Sequence, residues 1–239
     1  EKFDSTAPTG LFFKERRKLG ASKVYYYRHQ SAASRLSPSD LEKDYISQAN
    51  YLHLTGITPG LSESCYQTVL KAIEIAQANK VRIVFDPNLR FKLWSDEAKM
   101  KETILNLIGQ ADIVLPGVDE AQVLVEAKKP ARQGKKLLEL GPEIAVIKLG
   151  AAGARLVTEE KAEQISGYKV EEPVDCMGAG DAFAAGFVSG RLAGHNLVEA
   201  VDLANAAGAF AVTVTGDVEG LPTLEQIRQI RGQEKVINR

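Results

Sequence analysis

The sequence of 239 residues predicts an α/β fold, in which a mostly parallel sheet is flanked by helices and a small β-hairpin precedes it. From about residue 51, short apolar strands alternate with amphipathic helices. The front of the chain is instead aromatic and β-branched, and the last third reads as helices rich in small residues. Strands and helices that alternate at these lengths imply parallel pairing through right-handed crossovers.

The front of the chain predicts the hairpin. Residues 10–14 (GLFFK) and 23–28 (KVYYYR) read as two short strands, and residues 19–22 (LGAS) as the turn between them. Because strand side chains alternate between faces, we expect Tyr26 and Arg28 on one face. A hairpin of this size buries too little to stand alone, so it should pack on other strands, a partner subunit or a substrate.

The remaining elements follow from apolar spacing and from helix-start signals such as Ser62 and Glu63. Residues 126–134 (EAKKPARQG) indicate a loop that is shortened or absent. Strands are predicted at 51–54, 81–85, 112–115 and 144–148, and short antiparallel strands at 155–157, 163–166 and 168–170; helices are predicted over 66–76 and 100–108, from 118 onward, and over 181–192, 197–214 and 224–230.

Composition excludes several classes of protein. The 30 basic and 31 acidic side chains nearly cancel, so no global field favours nucleic acid or an anionic membrane as a partner. No apolar run approaches the roughly 20 residues that a membrane-spanning helix needs. Cys65 and Cys176 are too few and too isolated for a disulfide framework, which favours a reducing cytoplasm.

A glycine-rich turn leads into the helix predicted at 181–192. In Gly178-Ala179-Gly180, backbone N–H groups can converge without side-chain obstruction, and the helix start adds donors and positive partial charge, as in an anion hole for phosphate oxygens. Asp181 would repel a phosphate, but it can accept a proton from an attacking hydroxyl while the amides stabilise the moving phosphoryl group. The structural alternative is that Asp181 is only the N-cap of the helix.

Residues 175–183 (DCMGAGDAF) resemble the signature of the ribokinase-like (PfkB) carbohydrate kinases, an Asp-Thr-x-Gly-Ala-Gly-Asp-x-Phe pattern in which Cys176 replaces the threonine. The resemblance extends over the chain. It implies a ribokinase-like fold with a small β lid, phosphoryl transfer from ATP with Mg²⁺, and Asp181 as the catalytic base. A monovalent cation near the signature is a further expectation.

The same resemblance predicts how the chain is divided into two regions. We expect residues 1–34 to form part of the β lid and its connections, and residues 35–239 to form the α/β core that binds nucleotide and substrate. The N-terminal part of the family, with its Gly-Gly substrate motif, is expected to be absent. Lid hairpins with aromatic faces often pair between subunits, so we expect a homo-oligomer.

The resemblance also implies roles for residues outside the signature. A Lys-x-Gly-x-x-Gly turn follows the strand at 144–148, although most such turns are plain β-connections. Gly117 stands where the family has the asparagine of an Asn-x-x-Glu motif, so only the glutamate of that motif is present. The implied nucleotide-binding residues are Lys148, Gly150, Gly153, Gly178, Gly180, Asn205 and Gly208, and Glu120 is implied as a Mg²⁺ ligand through water.

Two arginines bear on the substrate. Arg28 shares a hairpin face with Tyr26, and Arg90 follows Asp86-Pro87-Asn88-Leu89 at a carboxyl end of a strand, where ligands bind in parallel sheets. Arginine binds carboxylates through paired hydrogen bonds, so the two favour an acidic sugar. The alternative for each is a surface salt bridge.

Segments 9–11 (TGL), 26–34 (YYRHQSAAS) and 86–90 (DPNLR) resemble 2-keto-3-deoxygluconate kinases. This implies ATP-dependent phosphorylation of the C6 hydroxyl of 2-keto-3-deoxygluconate, which gives 2-keto-3-deoxy-6-phosphogluconate. Tyr26, Arg28, Arg90 and Asp181 are then the substrate-binding residues.

Three alternatives remain open from the sequence. A fructokinase, a nucleoside kinase or a 5-keto-2-deoxygluconate kinase would share the fold. A dinucleotide-binding oxidoreductase would need a G-x-G-x-x-G directly after an early strand, and none stands there. A non-catalytic sugar-binding regulator on a kinase scaffold is the third.

Overall fold

The computed structural model describes residues 2–15, 23–216 and 218–232. The predicted hairpin turn at 19–22 therefore lies outside the described residues. Two compact units are present: the first comprises the described residues of Glu1–Ile83 together with Leu89–Leu107, and the second comprises Val84–Asn88 together with the described residues of Ile108–Arg239. The division into a lid of 1–34 and a core of 35–239 stays a prediction.

The predicted hairpin is confirmed. Strands β1 (Leu11–Glu15) and β2 (Lys23–Tyr27) pair antiparallel as a separate two-stranded sheet, with Phe12 opposite Tyr26. Its large side chains are exposed on both faces, because so small a sheet has too little surface to bury them. Pairing of two copies through this hairpin stays a prediction.

Within the described residues, the second sheet has six strands in the order β3-β4-β5-β6-β7-β8. The pairs β4–β5 and β5–β6 are parallel, whereas β6–β7 and β7–β8 are antiparallel, as the sequence predicts for its later short strands. The strands are β3 (Tyr51–Thr55), β4 (Arg82–Asp86), β5 (Ile113–Val114), β6 (Ile144–Lys148), β7 (Ala154–Val157) and β8 (Ala162–Ile165).

The helices of at least five residues alternate with these strands and follow them. Ser62 caps the third helix by accepting a hydrogen bond from Cys65 N at 3.1 Å, as the predicted helix start requires. The helices are α1 (Lys43–Ser47), α2 (Ile57–Leu61), α3 (Glu63–Ala78), α4 (Glu97–Ile108), α5 (Val118–Val125), α6 (Pro130–Leu138), α7 (Ala179–Leu192), α8 (Leu197–Ala211) and α9 (Leu224–Ile230).

Glycines allow α7 and α8 to pack closely. A Cβ on Gly186 would lie 3.0 Å from Ala204 Cα, and one on Gly190 would lie 3.0 Å from Ala200 Cα. Side chains at these two positions would force the helices apart, so the small residues that the sequence shows here serve helix–helix packing.

One local prediction is wrong. Residues 168–170 form no strand, because Tyr168 is drawn to α8 by a hydrogen bond to Asp202. Helix α6 begins within the segment 126–134, at Pro130, a residue well suited to a first helical position. Only residues 126–129 connect it to α5, and the shortening or absence of a loop here stays a prediction. In the described part of the chain, no helix is both long and apolar enough to cross a membrane.

Candidate active site

The start of α7 presents backbone donors. Gly178 is the N-cap with φ 77° and ψ −12°, a left-handed conformation that favours glycine, and no described side chain caps the helix. The first N–H groups of a helix lack partners within it, so they are available to an anion. Asp181 lies in the first turn and is exposed, so the alternative in which it is the N-cap is wrong.

In the loop before α7, the side chain of Asp175 makes a hydrogen bond with the backbone. Asp175 Oδ1 accepts a hydrogen bond from Met177 N at 3.1 Å, and Val174 N donates to Val212 O at 2.7 Å. Cys176 is exposed and is a free thiol. The replacement of threonine by Cys176 thus leaves these contacts of the loop in place.

A buried ion pair lies beside this helix start. Lys148 Nζ, at the end of β6, donates to Asp86 Oδ2, at the end of β4, over 2.6 Å. The Asp86 side chain is 3% exposed and that of Lys148 is 17% exposed. A Cβ on Gly180 would lie 3.6 Å from Lys148 Nζ, so the ammonium lies against the first turn of α7.

Burial is the main influence on the Asp86 carboxyl and raises its pKa, because the charged form loses its hydration. Lys148 opposes this shift, whereas the negative charges of Glu120 and Asp181 add to it. Glu120 and Asp181 therefore both lie within electrostatic reach of Asp86, the most buried of the three carboxyl groups, which is paired with Lys148.

The turn after β6 confirms the need for glycine at two predicted positions. Gly150 has φ 60° and Gly153 has φ 94°. A Cβ on Gly150 would meet nothing within 4 Å, whereas one on Gly153 would lie 2.4 Å from Gly167 N. Gly150 thus faces open space, while Gly153 permits close backbone packing.

The two residues of α8 that are predicted to bind the nucleotide, Asn205 and Gly208, contact the backbone of other parts of the protein. Asn205 is buried, and its Nδ2 donates to Ile165 O at 3.2 Å and to Ser166 O at 3.1 Å. A Cβ on Gly208 would lie 3.3 Å from Ala179 O, so this glycine admits the start of α7. Contact of either residue with a nucleotide stays a prediction.

Glu120 lies in the first turn of α5 and accepts a hydrogen bond from Gly117 N at 2.7 Å. The carboxylate thereby helps to cap its own helix, which is a structural role. Among the described residues, no group of three or more His, Cys, Asp or Glu side chains is placed to hold a metal ion. Mg²⁺ usually binds through phosphate oxygens, water and one or two carboxylates, and Glu120 offers one carboxylate of this kind.

The predicted substrate residues Tyr26, Arg28 and Arg90 belong to the first unit. Arg28 Cζ lies 4.2 Å from the centre of the Tyr26 ring, which confirms that the two share a face. Burial lowers the pKa of Arg28, Tyr26 opposes this shift, and the charge of Arg90 lowers the pKa further. Arg28 Nε is buried and has no hydrogen-bond partner among the described residues.

A cavity of about 450 Å³ adjoins the hairpin within the first unit. Arg28, His29 and Lys92 are basic residues of its lining, and none of the described lining residues carries a carboxylate. The others are Val24, Tyr25, Tyr26, Tyr27, Gly60, Leu61 and Leu93.

Sequence reasoning missed Asp86 as a site residue. Its signal was an aspartate at the carboxyl end of an apolar strand, with Lys148 at the equivalent end of another. The two strands are separated in the sheet by β5, a spacing of about 10 Å that the lysine and aspartate side chains bridge together. Strand order, which the sequence left open, decides that they meet.

Comparison with known proteins supplies the family. The pattern of the pfkB family carbohydrate kinases matches residues 1–224. The chain belongs to this family. The predicted ribokinase-like fold and the predicted enzyme class, an ATP-dependent carbohydrate kinase, are thereby confirmed.

Two curated pfkB relatives carry the same description, 2-dehydro-3-deoxygluconokinase. The Bacillus subtilis protein is 38% identical over 231 residues, which cover 97% of this chain and 71% of the relative. The Thermoproteus tenax protein is 38% identical over 234 residues, which cover 96% of this chain and 70% of the relative. The chain thus spans about seven-tenths of the length of these relatives.

Solved pfkB structures agree in fold. An E. coli protein provisionally named ribokinase II, in complex with ATP and Mg²⁺, matches with a TM-score of 0.86 and 28% identity over 96% of this chain and 72% of that one. A Vibrio cholerae fructokinase double mutant with fructose, ADP and potassium ion bound matches with a TM-score of 0.78 and 29% identity over 87% of this chain and 67% of that one.

Proposed function

We propose that this pfkB kinase transfers a phosphoryl group from ATP to the C6 hydroxyl of 2-keto-3-deoxygluconate, also called 2-dehydro-3-deoxygluconate. The choice of sugar rests on the surroundings of the Arg28 guanidinium. This guanidinium lies over the Tyr26 ring and within electrostatic reach of Arg90, and its buried Nε has no hydrogen-bond partner among the described residues. Two adjacent cations of this kind suit a carboxylate, which a neutral sugar lacks.

Asp181 is the proposed catalytic base. Its exposed carboxylate takes the proton of the C6 hydroxyl as the oxygen forms a bond to the γ-phosphorus, and the bond from that phosphorus to the ADP oxygen breaks. Backbone N–H groups of Gly178, Ala179 and Gly180 stabilise the charge on the transferring group. Lys148, held by Asp86, adds positive charge at the same helix turn.

The proposed cofactors follow the family. Mg²⁺, when bound, neutralises charge on the ATP phosphates, and Glu120 is its proposed ligand through water. A monovalent cation is a further proposal, supported by the potassium ion in the V. cholerae fructokinase structure. Lys148, Gly150, Gly153, Asn205 and Gly208 are the proposed nucleotide-side residues. Gly150 admits close approach, because a Cβ there would meet nothing within 4 Å.

A panel of sugars tests the proposal. We expect the highest kcat/KM with 2-keto-3-deoxygluconate, and weaker turnover of fructose, ribose, nucleosides and 5-keto-2-deoxygluconate. Arg28→Ala and Arg90→Ala should each raise KM for 2-keto-3-deoxygluconate about 10- to 100-fold, because a hydrogen bond to a charged group is lost, and should change KM for fructose little. Lys23→Ala, which removes an exposed cation of the same hairpin, is the matched control.

A fructokinase is the second candidate, favoured by the similarity to the V. cholerae enzyme. If fructose gives the higher kcat/KM, and both arginine variants affect the two sugars equally, the carboxylate role is wrong and this candidate replaces the first. If none of the sugars in the panel is phosphorylated, the result would instead favour a non-catalytic regulator.

A further inference from the structure

The segment after β8 packs directly on the glycine turn. A Cβ on Gly167 would lie 2.5 Å from Ala151 O, and one on Gly153 would lie 2.4 Å from Gly167 N. Such distances are too short for any side chain, so the two backbones are in contact without intervening atoms. A shift of residues 166–168 must therefore move the turn that follows Lys148.

Helix α8 holds this segment at two points. Asn205 Nδ2 donates to the carbonyl oxygens of Ile165 and Ser166. The Tyr168 hydroxyl donates to Asp202 Oδ1 at 2.7 Å. Asp202 and Asn205 are three residues apart and so share one helix face. The segment is anchored on both sides of Gly167.

The second anchor is itself held from α9. Arg231, directly after that helix, places Nη2 2.7 Å from Asp202 Oδ2, so Tyr168 and Arg231 engage different oxygens of one carboxylate. Tyr168 also packs on a cluster of α7, α8 and α9 that includes Ile227. Burial, followed by the hydrogen bond to Asp202, raises the pKa of Tyr168 to about 12, so its hydroxyl remains a donor at neutral pH.

We propose that Tyr168, Asp202 and Arg231 form a latch, the 168–202–231 latch, that positions the Gly150–Gly153 turn for a nucleoside triphosphate. The three latch residues do not themselves touch the nucleotide. The proposal rests on the proposed function in one respect, that this turn belongs to the nucleotide site. A segment already held in its binding conformation loses less conformational entropy when the ligand arrives. Release of the latch therefore weakens nucleotide binding.

The test is the affinity for Mg·ADP, measured by calorimetry without sugar. Tyr168→Phe removes one donor and keeps the ring packing, and Arg231→Gln removes the ion pair with Asp202. Each should raise the Kd about three- to tenfold, the range for residues that act on a site through others. The double variant should weaken binding by less than the product of the two effects, because both act through Asp202. In kinetics, KM for ATP should rise while kcat and KM for the sugar stay within about twofold.

Two further variants separate positioning from general stability. Ile227→Val loosens the same helix cluster and leaves the latch intact, so its Kd should match that of the unaltered chain. Arg231→Lys keeps a cation for Asp202 and should recover most of the affinity lost in Arg231→Gln. A merely structural role would lower the melting temperature of all variants and leave every Kd unchanged.

Hydrogen exchange gives a second measurement that needs no ligand. Amides of residues 151–153 and 166–168 should exchange faster in Tyr168→Phe than in Ile227→Val. A Kd for Tyr168→Phe within twofold of the unaltered chain, or an equal loss in Ile227→Val, overturns the latch. ADP binding without turnover of any sugar would overturn the proposed function and leave the latch to stand on these two measurements.

Discussion

Lys148 and Arg28 are both basic side chains in predicted site positions, but the protein surrounds them differently. Lys148 is paired with the buried carboxylate of Asp86 and is 17% exposed. Arg28 lies over the ring of Tyr26, itself 37% exposed, and its Nε has no hydrogen-bond partner among the described residues. The protein thus supplies a counter-charge for Lys148, whereas the positive charge around Arg28 is increased by Arg90.

This difference separates two tasks that a sugar kinase must perform. A cation held by a buried carboxylate has a fixed place and can stabilise the same transferring group whatever the sugar. A pair of neighbouring cations gains most from a ligand that brings an anion. We therefore expect substitutions around Lys148 to change turnover of all sugars alike, and substitutions around Arg28 to change selectivity for acidic sugars.

Asp181→Asn should have the largest effect. The amide cannot take the hydroxyl proton, so kcat should fall by about 10²- to 10⁴-fold for every sugar. The Kd for Mg·ADP should change little, because the backbone donors of α7 remain. Glu172→Gln, an exposed acid in the preceding loop, is the control and should retain activity. Near-normal turnover by Asp181→Asn would show that Asp181 is not the catalytic base.

Asp86→Asn tests the buried pair and should come next. It leaves the Lys148 ammonium without its counter-charge, so the free energy of unfolding should fall by about 3 kcal/mol, measured with denaturant. Asp86→Asn combined with Lys148→Met should be more stable than Asp86→Asn alone, because neither charge is then left unpaired. Both should lower kcat equally for acidic and neutral sugars. A loss confined to acidic sugars would erase the contrast with Arg28. Asp119→Asn on exposed α5 surface is the control.

Tyr26→Leu should give the smallest effect. It tests whether the contact between the Tyr26 ring and Arg28 supports substrate binding. Loss of the cation–ring contact at an exposed site, about 0.5–1 kcal/mol, should raise KM for 2-keto-3-deoxygluconate about two- to fivefold and leave kcat unchanged. The matched control is Tyr27→Leu, whose ring contacts Phe13 instead. Equal effects of the two substitutions would show that the hairpin needs aromatic surface rather than support for Arg28.

Several elements were predictable because they depend on local signals. The bounds of β6 and α9 agree with the structure, since one is a short apolar run and the other is capped by Thr223. The helix at the signature begins at Ala179, two residues earlier than predicted, because glycine and alanine carry no apolar periodicity to mark its start. The missed α6 has its buried face formed by Gln133, Gly134 and Leu137, so it lacks the usual apolar stripe.

The sequence by itself determined the α/β order, the hairpin, the glycine turn with Asp181 and the resemblance to a kinase family, since each is a pattern within a short stretch of chain. Only the tertiary structure decided which distant groups meet. Asp86 reaches Lys148 across 62 positions because strand order brings their strands close, and Tyr168 leaves its predicted strand because Asp202 and Arg231 lie opposite it. Such contacts are set by packing between elements, and no local pattern records them.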